Sequence, residues 1–326
     1  MLLSACGVAD DIGDDAAEAE PETTATTEAS TTTTTEATTT TETTTVATTT
    51  AVVEDTPAAD AAEQVGASEV TLLDAGAEPL ETLRFALSEG TETATTTNLQ
   101  VLEQIADGSS LTAPAPVETI TEAAIIRTST ANGFEIETEI TSATTGPGTD
   151  AELAPLLEDT LTGLVGLTTT VLFDDRGFVS AGSFDDTTNQ EVNDLLGDVV
   201  NQSNPLPEEP VGVGAVWESD TVINDLGVPV ITRTTSTLRE FTENGVILDV
   251  EVMQFIEEPG AEADFGGVVG AIDVWDVSGD GEIELDFGQF TPVSATVSVE
   301  GEQLFRFLGQ GQLQQRVSTD TTVTSG

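Results

Sequence analysis

The chain has 326 residues, 60 acidic and seven basic side chains, and a formal net charge of −53. It contains no His, Lys or Tyr, which excludes imidazole catalysis, imidazole metal ligands and lysine Schiff bases. The negative charge repels nucleic acid and anionic membrane surfaces, so we expect neither to be a direct binding partner.

Acidic residues are spread along the whole chain. Fourteen of them, and no basic residue, precede Gly66, which leaves a net charge of −39 for residues 66–326. Repulsion at this density destabilises a compact fold at low salt, and mobile ions screen it. We interpret the acidity as an adaptation to a cation-rich environment and not as a binding feature.

The first six residues contain a candidate lipidation site. Leu3-Ser4-Ala5-Cys6 resembles the bacterial lipobox, and Cys6 is the only cysteine. The resemblance implies export and a lipid anchor on Cys6 at the outer face of the cell membrane. A full signal peptide has a basic region and about 7–15 apolar residues before the cysteine. Only five residues precede Cys6, so we interpret residues 1–6 as a truncated signal. A chance free cysteine in a cytosolic protein is the alternative.

Residues 7–65 are rich in Thr, Ala and Glu and lack an apolar periodicity. Such a composition predicts a disordered tether, which would span roughly 40–45 Å as a random coil. No apolar run in the chain reaches the roughly 18 residues of a membrane span, so the predicted anchor is the lipid alone. We expect the tether to hold a single β-rich domain, residues 66–326, away from the membrane.

Apolar and acidic residues alternate along several segments of this domain, as in antiparallel strands with one buried face. The clearest runs contain Phe134, Ile136 and Ile140; Val246, Leu248, Val250 and Val252; Ile283, Leu285 and Phe287; and Val293, Ala295, Val297 and Val299. Turns are predicted between such runs at Asn132-Gly133, Asp175–Gly177, Asn224–Gly227, Asn244-Gly245, Gly279–Gly281 and Glu300-Gly301. The spacing predicts ten to twelve strands.

Two segments have helical spacing instead. One contains Leu153, Leu156, Leu157, Leu161 and Leu164, with Pro155 in its first turn, and the other contains Val192, Leu195, Leu196, Val199 and Val200. The predicted fold class is therefore α+β and mostly β, a curved antiparallel sheet with about two helices packed on one face. If the helices stand off the sheet, a ligand cavity is lined by Leu153, Leu156, Leu157, Leu161, Val192, Leu195, Leu196 and Val199; if they pack down, these residues are core.

A Pro-flanked segment, Leu206–Pro210, is followed by Gly214 and Trp217. Together with the lipobox and the tether, this pattern resembles surface lipoproteins of Gram-positive, high-GC bacteria. The architecture is similar to half-barrel lipoproteins that carry lipids between membranes. The resemblance implies a curved sheet that cups helices over an apolar cavity, and no binding residue is carried over from it.

The acidic motifs favour turns over metal sites. Asp276–Gly281 places oxygen ligands like a calcium loop, but Phe287 stands where a bidentate Glu is needed, so we interpret it as a hairpin turn. Asp174-Asp175 and Asp185-Asp186 are interpreted as solvated turn residues. We expect no metal and no cofactor.

The remaining aromatic and basic residues fit structural roles. Trp217 and Trp275 are explained by core packing. The seven arginines are scattered singly, and we expect each to pair with a nearby carboxylate.

Three functions remain open. The first is a lipid-anchored surface protein whose β domain binds an apolar or lipid ligand. The second is a structural or adhesive envelope module without a small ligand, and the third is a hydrolase that uses a pair of carboxylates, for which no catalytic residue is assigned.

The lipobox predicts a measurable modification. In cells that express the natural gene with its upstream sequence, we expect Cys6 to become the mature N-terminus and to carry a diacylglyceryl thioether, detected by mass spectrometry of the membrane fraction. Cys6→Ala should release the protein from the membrane. An unmodified Cys6 in wild-type protein would contradict the prediction.

Overall fold

The computed structural model describes residues 67–106, 109–110, 115–130, 133–184, 204–225, 227–265, 268–307 and 311–326. These residues belong to one compact unit. Cys6, the predicted tether, the predicted helix with Val192, Leu195, Leu196 and Val199, and Asp185-Asp186 lie outside the described residues.

Most of the described residues form β-strands, which confirms a mostly β fold. In chain order the strands are β1 (Ala67–Asp74), β2 (Ala77–Glu81), β3 (Gly90–Ala106), β4 (Ser109–Ser110), β5 (Ala115–Thr130), β6 (Gly133–Thr145), β7 (Thr168–Phe173), β8 (Val179–Phe184), β9 (Val211–Val213), β10 (Val216–Asp225), β11 (Val228–Phe241), β12 (Gly245–Ile256), β13 (Ala261–Asp264), β14 (Val269–Asp286), β15 (Ser294–Phe307) and β16 (Gly311–Ser325). One helix, α1 (Ala154–Leu164), is present in the described part of the chain.

Fourteen strands form one antiparallel sheet. Its main path runs in the order β1-β10-β11-β12-β14-β15-β16-β3-β5-β6-β7-β8, while β13 pairs with β14 and β4 with β3. Two runs of hairpins, one in each half of the domain, are thus joined where the last strand, β16, pairs with β3. Strands β2 and β9 form a separate two-stranded sheet.

The predicted alternation is present in the central strands. On β12, Val246, Leu248 and Val250 are buried, whereas Asp249 and Glu251 are exposed. On β6, Ile136 and Ile140 are buried between exposed glutamates. We call the face that carries these apolar side chains the inner face and the opposite, acidic face the outer face.

Four of the predicted turns are confirmed. Gly133 opens β6 opposite the end of β5, and Gly245 opens β12 opposite the end of β11. Gly177 (φ 90°) and Gly227 (φ 80°) occupy the β7–β8 and β10–β11 turns. Positive φ at these two positions explains the choice of glycine.

The predicted turns at Gly279–Gly281 and Glu300-Gly301 are wrong, because β14 and β15 run through them without interruption. Gly279 pairs with Val299, and Gly301 pairs with Val277. A side chain at Gly279 would collide with the backbone of Ser298, and one at Gly301 with the backbone of Asp276. These glycines permit a close approach of two strands, which produces the same sequence signal as a turn.

The largest hydrophobic cluster, cluster 1, joins strands from both ends of the sheet order, since it contains Phe173 of β7 and Trp217 of β10. Leu83, Phe85 and Leu87, from the irregular segment after β2, also belong to it. The backbone N–H of Phe85 donates to the carbonyl oxygen of Asp175 at 2.8 Å, which ties this segment to the β7–β8 turn.

The Pro-flanked segment has a structural role in the same region. The indole Nε1 of Trp217 donates to the carbonyl oxygen of Pro205 at 3.1 Å. Leu206 N donates to the carbonyl of Arg176 at 2.7 Å, and the Nη1 of Arg84 donates to the carbonyl of Pro207 at 3.0 Å. The segment therefore bridges β10 and the β7–β8 turn.

A second hydrophobic cluster, cluster 2, lies on strands β11 to β16. It is built from Val228, Val230, Ile256, Ala263, Phe265, Ile272, Trp275, Val277, Phe305 and Val317. On β14 its members Trp275 and Val277 share the face of Ile283 and Leu285 of cluster 1, because residues two apart along a strand point to the same side.

A buried ion pair connects β3 and β5 to the β14–β15 connection. Glu92 Oε2 lies 3.2 Å from Arg127 Nη1, and the two side chains are 7% and 10% exposed. Glu92 Oε1 accepts hydrogen bonds from the backbone nitrogens of Phe290 and Thr291 at 3.1 and 2.9 Å. Arg127 Nη1 donates to the carbonyl of Gly288 at 2.7 Å.

Glu92→Gln should destabilise the domain by about 3 kcal/mol, because it leaves the buried Arg127 charge without its partner. Urea unfolding at pH 7 measures the effect. Asp249→Asn, which removes the same charge from an exposed position, should change stability by less than about 1 kcal/mol. Equal effects of the two substitutions would contradict a stabilising role of the buried pair.

Candidate functional site

Helix α1 confirms one of the two predicted helices, and Pro155 lies in its first turn. Leu161 and Leu164 are buried against Ile140 of β6, and Leu157 packs at the edge of the same small cluster. At this end the helix is packed down onto the sheet, so that Leu157 and Leu161 contribute to a core contact. Leu153 is half-buried, and Leu156 is 72% exposed.

The predicted turn role of Asp174 is confirmed. Its Oδ1 accepts hydrogen bonds from the backbone nitrogens of Arg176 and Phe178 at 2.9 and 2.8 Å. The neighbouring Asp175 is largely exposed and lies 3.8 Å from Arg84 Nε. Among the described residues, no group of three or more acidic or cysteine side chains is placed to hold a metal ion.

Every arginine lies within 4 Å of a carboxylate, as expected. Arg306 contacts both oxygens of Asp273, at 2.9 and 2.7 Å, and Arg233 contacts both oxygens of Asp220, at 2.8 Å. The hydrogen bond that Arg306 donates lowers the pKa of Asp273, and the hydrogen bond that Arg233 donates to Asp220 raises the pKa of Arg233.

Two carboxylates meet at one arginine on the outer face. Arg239 Nη1 lies 3.0 Å from Asp249 Oδ1 and 2.6 Å from Glu282 Oε2. The hydrogen bond from Arg239 lowers the pKa of Glu282. Both acids are about half exposed, so this cluster lies on an open surface.

The inner face contains a region of a different kind between clusters 1 and 2. Strand pairing aligns two rows of inward-facing residues across it, which we call the central rows. The first row is Ser219, Thr234, Val252, Gly279, Val299, Thr319, Gln100 and Val117, and the second is Ser236, Val250, Gly281, Val297, Thr321, Asn98 and Thr119.

Most side chains of the central rows are smaller than those of the neighbouring clusters, with Gln100 and Asn98 as the longer members, and we call the rows a recess for this reason. None of their members is charged, and none is Leu, Ile, Met or aromatic; beyond Ser236 the second row continues into Trp217 of cluster 1. Clusters 1 and 2, on either side, contain the bulky residues Leu248, Ile283, Phe305 and Trp275. Val252, Val297 and Val299 remain partly exposed although they face inward. Val250 is buried as a member of cluster 1, and five polar members of the rows are also buried: Ser219, Ser236, Gln100, Thr119 and Thr319.

Two buried hydrogen-bond donors adjoin this recess. Trp275 Nε1 and Gln303 Nε2 have no hydrogen-bond partner among the described residues, and the two residues are 4% and 1% exposed. Trp275 and Gln303 lie opposite each other on β14 and β15. The predicted core packing of Trp275 is confirmed. The sequence gives no indication that its indole nitrogen lacks a partner among the described residues or that Trp275 pairs with Gln303.

The site so described is uncharged inside and acidic outside. On β14 the inward series Val277, Gly279 and Gly281 alternates with the outward series Ser278, Asp280 and Glu282. The sequence pattern predicted this segregation, but it did not identify the recess, because the recess depends on which strands pair.

Comparisons with known proteins are sparse. No protein-family model and no curated protein matches the chain. Its structure is similar to an outer membrane channel from Pseudomonas putida F1, at 9% identity, with 74% of this chain and 97% of that chain covered and a TM-score of 0.18. A score at that level supports no inference about fold or function. Within the described residues, no helix has the length and apolar character to cross a membrane.

The Arg306–Asp273 pair predicts a pH dependence. The folded-state pKa of Asp273 is lowered, so the pair stabilises the fold above the unfolded pKa of about 3.9 and loses this contribution as pH falls through the folded pKa. Asp273→Asn should therefore cost about 0.5–1 kcal/mol at pH 6–7, and this cost should shrink as the pH falls through the folded pKa of Asp273.

Asp280→Asn, at an exposed position on the same strand, is the matched control for removing one negative charge. Urea unfolding of both variants at each pH measures the difference. If the difference in stability between the two variants does not shrink as the pH is lowered, the ion pair is not its cause.

Proposed function

We propose that this protein is anchored by a lipid at the outer face of the cell membrane, and that its β domain binds an uncharged apolar ligand on the inner face of the sheet. Cys6 carries the anchor, and the Thr-rich segment is the tether. Ligand binding is inferred from the central rows, where Val252, Val297 and Val299 face inward, remain partly exposed and are flanked by the bulky residues of clusters 1 and 2.

Two features of the strand pairing support a curved sheet, which the proposal requires. Cluster 1 includes residues of β7 and of β10, which stand near opposite ends of the strand order. Irregular pairing between Glu122 and Ala123, between Leu238 and Glu240, and between Ile272 and Val274 introduces bulges. Bulges and strand glycines such as Gly279 are the devices that curve a sheet. In the half-barrel that we propose, a sheet curved by these devices would cup the central rows.

The charge of the domain favours an uncharged ligand over an anionic one. An anionic ligand would approach a domain with a net charge of −39, and the central rows provide no arginine to neutralise it. Burial of apolar surface contributes roughly 25 cal/mol per Å², so a neutral hydrocarbon body is favoured. The charge also supports the absence of a nucleic-acid partner, and we assign no catalytic role to the acids of the outer face.

The matched pair Thr234 and Thr235 tests the proposal, because these neighbours on β11 are the same residue type and point to opposite faces. Thr234→Phe fills the recess and should weaken binding of a neutral apolar dye at least about tenfold. Thr235→Phe should leave dye binding unchanged. Fluorescence titration gives the affinities, and thermal unfolding verifies that both variants fold.

Equal dye binding by Thr234→Phe and Thr235→Phe would refute a site in the central rows. If wild-type protein binds no apolar dye at all, the result supports the structural or adhesive module instead.

A further inference from the structure

Trp275 Nε1 and Gln303 Nε2 are buried donors without a protein acceptor among the described residues. An unpaired buried donor has lost its hydrogen bonds to water without replacing them, so the folded protein is less stable for keeping it. Such groups are uncommon in native interiors, and each one needs an explanation. Because Trp275 and Gln303 pair directly with each other, the two unpaired donors belong to the same position on the sheet.

Strand pairing fixes the surroundings of these donors. Trp275 and Gln303 pair across β14 and β15, and Gln303 pairs with Gln315 of β16, which pairs with Gln104 of β3. Paired residues point to the same face of a sheet, so the four side chains form one polar row. Gln315 and Gln104 are partly exposed, and the row therefore extends from the buried donors toward solvent.

The same strands link the donors to the central rows. On β15, Gly301 is the next inward-facing residue after Gln303, and it has no side chain. The inward-facing residue after Gly301 is Val299, which belongs to the first central row. Phe305 and Ile272 of cluster 2 lie on the other side of the donors. By strand order, a ligand whose apolar body lies along the valines would have one end next to Trp275 and Gln303.

The chemistry of the donors defines that polar atom. The indole N–H can only donate a hydrogen bond, so the ligand atom must be an acceptor. The apolar residues around it and the net charge of the domain disfavour a carboxylate or phosphate. A neutral carbonyl oxygen attached to a hydrocarbon chain satisfies these conditions.

We infer that Trp275 and Gln303 bind the carbonyl oxygen of a neutral acyl ester whose chain lies along the central rows. The inference rests on the proposed function and adds the class of ligand and the two residues that recognise its polar group.

Methyl laurate and tridecane, delivered from cyclodextrin, test the inference, since they have similar apolar bodies and only the ester has an acceptor. Displacement of a neutral fluorescent dye gives both affinities. Wild-type protein should bind the ester at least about tenfold more tightly than the alkane. In Trp275→Phe and in Gln303→Leu this ratio should fall toward one, while the affinity for tridecane stays within about twofold.

Stability measurements separate recognition from misfolding. Removal of an unpaired buried donor should leave the melting temperature unchanged or raise it. Trp217→Phe is the matched control, because the indole nitrogen of Trp217 already donates to Pro205; it should keep the preference for the ester.

The outcomes distinguish the two proposals. If neither probe displaces the dye, or no dye binds, the proposed function fails. If both probes bind equally to the wild type, or the preference survives in Trp275→Phe and Gln303→Leu, the acyl-ester inference is overturned while an apolar site remains.

Discussion

The structure depends on where the negative charge is placed. With a net charge of −39 on residues 66–326, a compact fold requires that carboxylates reach water. Period-two alternation achieves this in a sheet, because every second side chain points to the outer face. Glu282 and Asp249 lie on that face and share Arg239, whereas Leu248 and Ile283, beside them in sequence or pairing, are buried.

The inner face consequently carries few charged groups among the described residues. Glu92 is buried there with Arg127 and two backbone donors, and it fastens the β14–β15 connection. In the central rows most of the inward residues are Thr, Ser, Val and Gly, which are small, and the longer members are Gln100 and Asn98. Trp275 and Gln303 lie at the border of this region, and their side-chain donors have no partner among the described residues. The central rows are uncharged, partly apolar and next to these donors, which suits a neutral ligand.

Local signals in the sequence predicted what is local in the fold. Asn244-Gly245 and Asp175–Gly177 join neighbouring strands and were identifiable as turns, and the Leu161 stripe predicted α1. The turns predicted at Gly279 and Gly301 were wrong, because a glycine that permits the close approach of a neighbouring strand cannot be distinguished from a turn glycine until the partner strand is known. The pairing of β16 with β3, and of Trp275 with Gln303, depends on long-range register that no short pattern encodes. The central rows follow from that register, and the predicted cavity residues on α1 did not identify them.

The most direct test of a ligand on the inner face is to extract the purified protein, produced in its native cells, with organic solvent and to analyse the extract by mass spectrometry. We expect a neutral acyl ester that is present in wild-type extracts and depleted in extracts of Thr234→Phe. Extracts free of lipid from wild-type protein made in several hosts would contradict a ligand-binding inner face.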